Sequence, residues 1–162
     1  MFRQKIAVIA KICPQVKTVL DYGCGYEPVL TTLLKKEGYD AKGYDPNFFP
    51  QPVSNSRYDM VISTETFEHF KRPEKEIKTI LNLLSKEGYL AVMTRFYPER
   101  NGGPDHDLFM NWYYQRDPTH ICFYSPQTFA WIARKNACKI LYDNEKDFII
   151  LQKLNDPERQ GI

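Results

Sequence analysis

The 162-residue chain contains no run of about 18 apolar residues, and its start, Met1-Phe2-Arg3-Gln4-Lys5, lacks the apolar stretch of a secretory leader. No membrane partner is expected. The four cysteines, Cys13, Cys24, Cys122 and Cys138, show neither paired spacing nor a secretory context, so they read as reduced intracellular thiols rather than disulfides or a zinc site. The expectation is a soluble, cytoplasmic protein. A strong charge imbalance is also missing: 22 basic against 20 acidic side chains leave a net charge of +2, too little to imply nucleic acid by itself. A basic patch assembled in three dimensions would still leave RNA open. With 43% hydrophobic residues the chain can bury a proper core but has little room for a second domain, and a single domain is expected over residues 1–154 with a frayed tail over 155–162.

Only eight glycines are present, and two of them make the most informative stretch, Thr18-Val-Leu-Asp-Tyr-Gly-Cys-Gly-Tyr26. Val19 and Leu20 suit a buried parallel strand, while Gly23 and Gly25 allow a sharp turn and a close approach to a ligand. Pro28 opens the following helix. A glycine turn between strand and helix is the usual place for a nucleotide-type cofactor in an open α/β sheet. A second strand, Ala41-Lys-Gly-Tyr-Asp45, ends in an acid 24 residues after Asp21, near the offset at which a carboxylate holds ribose hydroxyls. A dinucleotide fingerprint would place a third glycine at position 28, where this chain has proline. Asp21 would repel a pyrophosphate, yet suits a cationic ammonium or a hydroxyl-rich ligand such as S-adenosylmethionine.

On these residues the chain resembles class I S-adenosylmethionine-dependent methyltransferases over most of its length. Asp21-Tyr-Gly-Cys-Gly25 resembles their first motif and Asp45 their ribose-binding acid. Tyr58-Asp-Met-Val-Ile-Ser-Thr-Glu-Thr-Phe-Glu-His-Phe70 is similar to their fourth-strand motif, and Leu83-Leu-Ser-Lys-Glu-Gly-Tyr-Leu90 to the segment entering strand five. The family's third glycine falls at Glu27. The resemblance implies an α/β, Rossmann-like sandwich with a mostly parallel sheet and a C-terminal antiparallel hairpin. It also implies a cofactor set of Asp21, Tyr22, Gly23, Gly25, Asp45, Pro46, Thr64 and Glu65. Between Asp45 and Tyr58 the chain has three prolines and no periodic pattern, so strand three is expected to be missing and the order to be 2-1-4-5-7-6 in the family's numbering.

Local patterns fill in the rest. Phe2, Ile6, Ile9 and Cys13 recur at helical spacing before Pro14, and a helix over Pro28–Glu37 buries Leu30, Leu33 and Leu34 with Gly38 as its cap. A helix is expected over Pro73–Leu84, then a strand over Tyr89–Thr94. Ser125-Pro126 starts another helix, and strands over Lys139–Tyr142 and Phe148–Gln152 flank Asp143-Asn144. Residues 95–124 form the longest irregular piece, rich in aromatic and ionisable groups, and leave the carboxyl end of a strand. They read as an insertion covering the active site, with a short helix around Asp107–Tyr114 and with Trp112, Tyr113, Arg116, Asp117 and His120 as acceptor-binding candidates. The bland alternative is that these aromatics patch the sheet. Arg116-Asp-Pro-Thr-His-Ile-Cys-Phe-Tyr-Ser-Pro126 also resembles a segment of a small-methyltransferase branch.

Methyl transfer is an in-line displacement that requires alignment and exclusion of water rather than a covalent nucleophile. A base serves an oxygen or nitrogen acceptor that must lose a proton, and His69, His106 and His120 are the only histidines, with His69 and His120 placed nearest the expected chemistry. Glu65, Glu68, His69 and His120 also resemble the divalent-metal set of small-RNA terminal 2′-O-methyltransferases, which implies Mg²⁺ or Mn²⁺ as an alternative. The chain lacks the Pro-Pro-Tyr and Pro-Cys signatures of base-amine and pyrimidine-carbon methylation, which leaves a small-molecule hydroxyl or amine, or an RNA end. Two other readings stay open: a catalytically silent methyltransferase-like binding module, and a nicotinamide-dependent oxidoreductase.

Overall fold

The computed structural model describes residues 2–50, 56–100 and 103–155. Its inner strands are apolar on both faces because helices cover each face, whereas the edge strands carry exposed polar residues such as Asp40, Lys42 and Lys139. In β3 (Tyr58–Thr64), Met60 and Ile62 face one layer while Val61 faces the other, and all three are fully buried. β1 (Thr18–Tyr22), β2 (Asp40–Tyr44), β3 and β4 (Leu84–Met93) pair in parallel; β8 (Phe148–Lys153) then runs antiparallel to both β4 and β7 (Cys138–Asp143). The sheet order is β2-β1-β3-β4-β8-β7. It is the expected mixed α/β sheet with a closing hairpin.

The helices follow from their apolar stripes. On one face, α1 (Phe2–Ile12) and α2 (Val29–Lys36) bury Ile6, Ile9, Leu30 and Leu34 against Val19, Met60, Met93 and Ile150. On the other, α3 (Pro73–Asn82) and α5 (Pro126–Lys135) bury Ile77, Ile80, Phe129 and Ile132 against Leu20, Val61, Leu90 and Ile149. Ser125 caps α5 as expected, its hydroxyl accepting from the Thr128 N–H at 3.2 Å.

Two expectations need correction or restriction. The helix expected to reach Leu84 ends at Asn82, because the Leu83 carbonyl accepts from the Tyr58 N–H at 2.9 Å and Leu84 pairs with Tyr58. Sheet pairing captures the last turn, and the strand resumes its register after a break at Glu87, whose φ is 57°. Between β2 and β3 the described residues hold only an isolated bridge, Asp45 to Phe49. The remainder of the expected strand-three deletion, residues 51–55, lies outside the described residues, as does the tail from 156 to 162.

Residues 95–124 hold a short helix close to where one is expected, and further short elements besides. They contain a two-strand ribbon, β5 (Glu99–Arg100) with β6 (Gly103–Pro104), a short helix α4 (His106–Met110) and a 3₁₀ turn over Tyr113–Arg116. The Asp105 carboxylate caps α4 by accepting from the Leu108 N–H at 3.0 Å. All four cysteines are free. Among the described residues, no helix is long and apolar enough to cross a membrane.

Candidate cofactor cleft and histidine cluster

The ends of β1, β2 and β3 converge because the strands are parallel, so the turns that follow them meet at one edge of the sheet. Gly23 and Gly25 both have positive φ, 85° and 67°. A Cβ at Gly23 would stand 2.3 Å from the Thr66 hydroxyl, so only glycine lets the first turn pass against the third. Asp45 fastens the glycine turn: one carboxylate oxygen accepts from the Gly25 N–H at 3.2 Å, and the other accepts from the Asn47 and Phe48 N–H groups at 2.9 and 3.3 Å.

Between these turns lies a cleft of about 550 Å³. Tyr22, Gly23, Gly25, Asp45, Pro46 and Glu65 of the expected cofactor set line it, together with Thr66, His69 and Lys71. Thr64 is not among the lining residues, and Thr66 takes the place expected for it. β3 ends at Thr64 and the chain reverses at Glu65, which adopts a positive φ of 47° that its residue type does not announce. Asp21, which precedes the cleft-lining Tyr22 in β1 and does not itself line the cleft, is 1% exposed, with one oxygen accepting from the Thr31 N–H and hydroxyl at 3.1 and 2.8 Å. Its other oxygen is buried with no partner. Burial pushes the Asp21 carboxyl up to about 6, and the Thr31 bonds only partly offset this.

Beside the cleft, the 3₁₀ turn Phe67–His69 meets the segment 95–124, none of whose residues is among those lining the cleft. The Glu68 carbonyl accepts from the Ile121 and Cys122 N–H groups at 2.8 and 3.0 Å. Its fully buried carboxylate accepts from the Thr94 hydroxyl at 3.0 Å and from the Tyr114 hydroxyl. Tyr114 also bonds Glu65 at 3.1 Å. Glu65 is exposed by surface area, yet its carboxylate faces Tyr114 and Glu68; desolvation there, with the Glu68 charge, raises its hold on a proton. Burial and Glu68 likewise push the Tyr114 hydroxyl well above its ordinary range, which keeps it a donor.

The two histidines are brought together with rings 4.9 Å apart. His69 Nδ1 donates to the Thr119 carbonyl at 3.0 Å, and His120 Nδ1 donates to the Tyr114 carbonyl at 2.7 Å. A carbonyl can only accept, so Nδ1 of each ring carries a proton and Nε2 is the atom left for other partners; that of His120 faces the Asp117 carboxylate at 3.8 Å. One ligand atom from each of Glu68, His69 and His120 lies within 4.8 Å of the others. Glu65 stands outside that trio.

The other acceptor candidates lie apart from the cleft. Trp112 packs on Tyr114 and Phe123, with ring centroids 5.0 and 5.8 Å away. Tyr113 and Arg116 are exposed, and Asp117 turns back to accept from the Thr119 N–H and hydroxyl at 2.9 and 2.6 Å. Tyr114, absent from the expected set, is instead the buried centre of this region. The residue sequence Trp-Tyr-Tyr carries no clue as to which tyrosine turns inward, since a single 3₁₀ turn has no period to read.

The sequence model of a methyltransferase domain matches residues 1–142. The chain belongs to that family. Its fold is that of the class I S-adenosylmethionine-dependent methyltransferases, as likeness to solved structures also shows. An O-methyltransferase family protein from Burkholderia thailandensis superposes with a TM-score of 0.64 at 12% identity, over 95% of this chain and 56% of that one. This methyltransferase domain thus spans little more than half of the Burkholderia protein. Magnesium protoporphyrin IX methyltransferase from Synechocystis PCC 6803, solved with S-adenosylhomocysteine bound, gives a TM-score of 0.60 at 15% identity over 94% and 81% of the two chains. The YcgJ protein of Bacillus subtilis gives 0.62 at 13%, over 94% and 99%. No curated protein matches the sequence. The cleft fits the family's cofactor in two respects: it has a glycine turn that a Cβ would block and an acid just after β2.

Proposed function

We propose that the chain is an S-adenosylmethionine-dependent methyltransferase acting on an oxygen or nitrogen atom of a small-molecule acceptor. The observation that carries this is the junction of the cleft with the histidine pair: His69 lines the cleft, and the His120 ring stands 4.9 Å from it with Nδ1 committed to a carbonyl and Nε2 facing the Asp117 carboxylate at 3.8 Å. Tyr22, Gly23, Gly25, Asp45, Pro46 and Glu65 would hold the cofactor, with Asp45 accepting ribose hydroxyls and Asp21 setting the field below. The bound cofactor supplies an electrophilic sulfonium methyl. The chain's own part is to orient the acceptor, exclude water under residues 95–124 and receive the acceptor proton at Nε2 of His69 or His120.

A second reading rests on Glu68, His69 and His120. Histidines that ligate metals characteristically donate their other ring N–H to a carbonyl, as both do here. One carboxylate and two imidazoles suit Mn²⁺ better than Mg²⁺, and a metal held there would lower the pKa of an acceptor hydroxyl.

Calorimetric titration of S-adenosylhomocysteine, with and without Mn²⁺, tests both readings. Micromolar binding is expected, weakened at least about tenfold in Asp45→Ala, as for loss of hydrogen bonds to a charged group. Mn²⁺ binding that disappears in His120→Ala would favour the second reading. Absence of cofactor binding in every condition would sink the enzyme and leave a methyltransferase-like binding module.

A further inference from the structure

The Tyr114 hydroxyl occupies a place that neither cofactor binding nor proton transfer explains. It bonds Glu65, which lines the cofactor cleft, and Glu68, whose carbonyl holds the covering segment through Ile121 and Cys122. Tyr114 is itself part of that segment, and it is 6% exposed. Its ring lies 4.1 Å from that of His120, and its carbonyl fixes the His120 proton on Nδ1. The residue therefore touches the cofactor side, the anchor of the cover and the candidate base.

Further bonds run from the cover to the same short turn. His69 donates to Thr119, the Tyr124 hydroxyl donates to the Phe67 carbonyl at 3.2 Å, and the Cys122 thiol donates to the Phe70 carbonyl at 3.1 Å. These fasten the cover to residues 67–70, but none reaches Glu65. Among the bonds of the described residues, only the Tyr114 hydroxyl joins a cleft-lining carboxylate to the segment that covers the acceptor.

We infer that Tyr114 is a positioning residue that couples occupation of the cofactor cleft to docking of residues 113–122. This rests on the cofactor reading given above. A ligand that fixes the Glu65 carboxylate also fixes the Tyr114 hydroxyl, and with it Glu68, the cover and the orientation of His120. Linkage makes the relation reciprocal: a docked cover holds the cleft in its binding form. Thr94 provides the contrast, since its hydroxyl bonds Glu68 at 3.0 Å and the Tyr114 hydroxyl at 3.4 Å but does not reach Glu65, so its loss leaves the Tyr114–Glu65 link in place.

Hydrogen exchange at the Ile121 and Cys122 amides, with and without saturating S-adenosylhomocysteine, tests this in the intact chain. In the wild type, ligand is expected to slow exchange about tenfold, the size of an ordinary coupling between sites. In Tyr114→Phe the ligand still binds but exchange at these amides no longer responds, whereas Thr94→Val keeps the response. A ligand response in Tyr114→Phe equal to that of the wild type overturns the inference while leaving the cofactor reading intact. Loss of response in Thr94→Val as well overturns it too, because a general loosening around Glu68 would then suffice. Failure of the wild type to bind the ligand removes the cofactor reading, and this inference with it.

Discussion

Asp21 carries the clearest conflict between stability and function at the level of a single residue. Its carboxyl is raised from 3.8 to about 6 by burial, so between those values the folded protein binds its proton more tightly than the unfolded chain. Stability therefore falls as pH rises through that window, and the cost is complete above it. Asp21→Asn should be more stable than wild type above pH 7 by on the order of 2 kcal/mol, with the difference shrinking toward pH 4. Urea midpoints across that range measure it, and the same variant should bind S-adenosylhomocysteine more weakly. Equal midpoints at every pH would mean that Asp21 carries no such strain. The places of Asp21, Gly23, Gly25 and Asp45 are legible in the sequence because they follow from local chemistry, an acid or a glycine at a strand end. Thr66 is not, since its place depends on a left-handed turn at a glutamate.

Elements with strong local signals form where the sequence places them. α5 has both a capping serine and a proline in its first turn, and its cap is buried. Ser125→Ala should lower stability by about 1 kcal/mol, seen as a lower urea midpoint with an unchanged slope. A fall in slope instead would indicate that the 95–124 cover, which leads into this helix, loosens with it. α3 is the counterexample: its pattern of apolar residues runs on to Leu84, but pairing with Tyr58 claims that residue for β4. Periodicity describes what a helix would bury, and it cannot weigh that burial against a competing strand. The short elements within residues 95–124 have too few turns to fix their bounds: the helix expected around Asp107–Tyr114 runs over His106–Met110.

Across the whole molecule, Lys5 of α1 reaches the Asp147 carboxylate in the turn between β7 and β8, joining segments 142 residues apart. Both side chains are largely buried, and Lys5 Nζ lies 4.9 Å from the centre of the Phe148 ring. Removing one partner leaves the other charge uncompensated. Lys5→Met should therefore cost on the order of 2–3 kcal/mol, while the double change with Asp147→Asn should restore much of it. A double-mutant cycle in urea settles the matter; additive losses would mean that the pair contributes only through packing.

The sequence by itself determined the alternation of strand and helix, the glycine turn, the acid after β2 and the apolar faces of the sheet. These depend on residues close together in the chain, where backbone freedom, capping and periodicity act directly. Only the tertiary structure decided that Tyr114, rather than Tyr113, turns inward. It likewise brought His69 and His120 together with Glu68 while leaving Trp112 and Arg116 out of the cleft. Those outcomes depend on how a segment of irregular backbone docks onto one 3₁₀ turn. That docking is governed by backbone carbonyls and buried carboxylates, whose positions exist only once the sheet has formed.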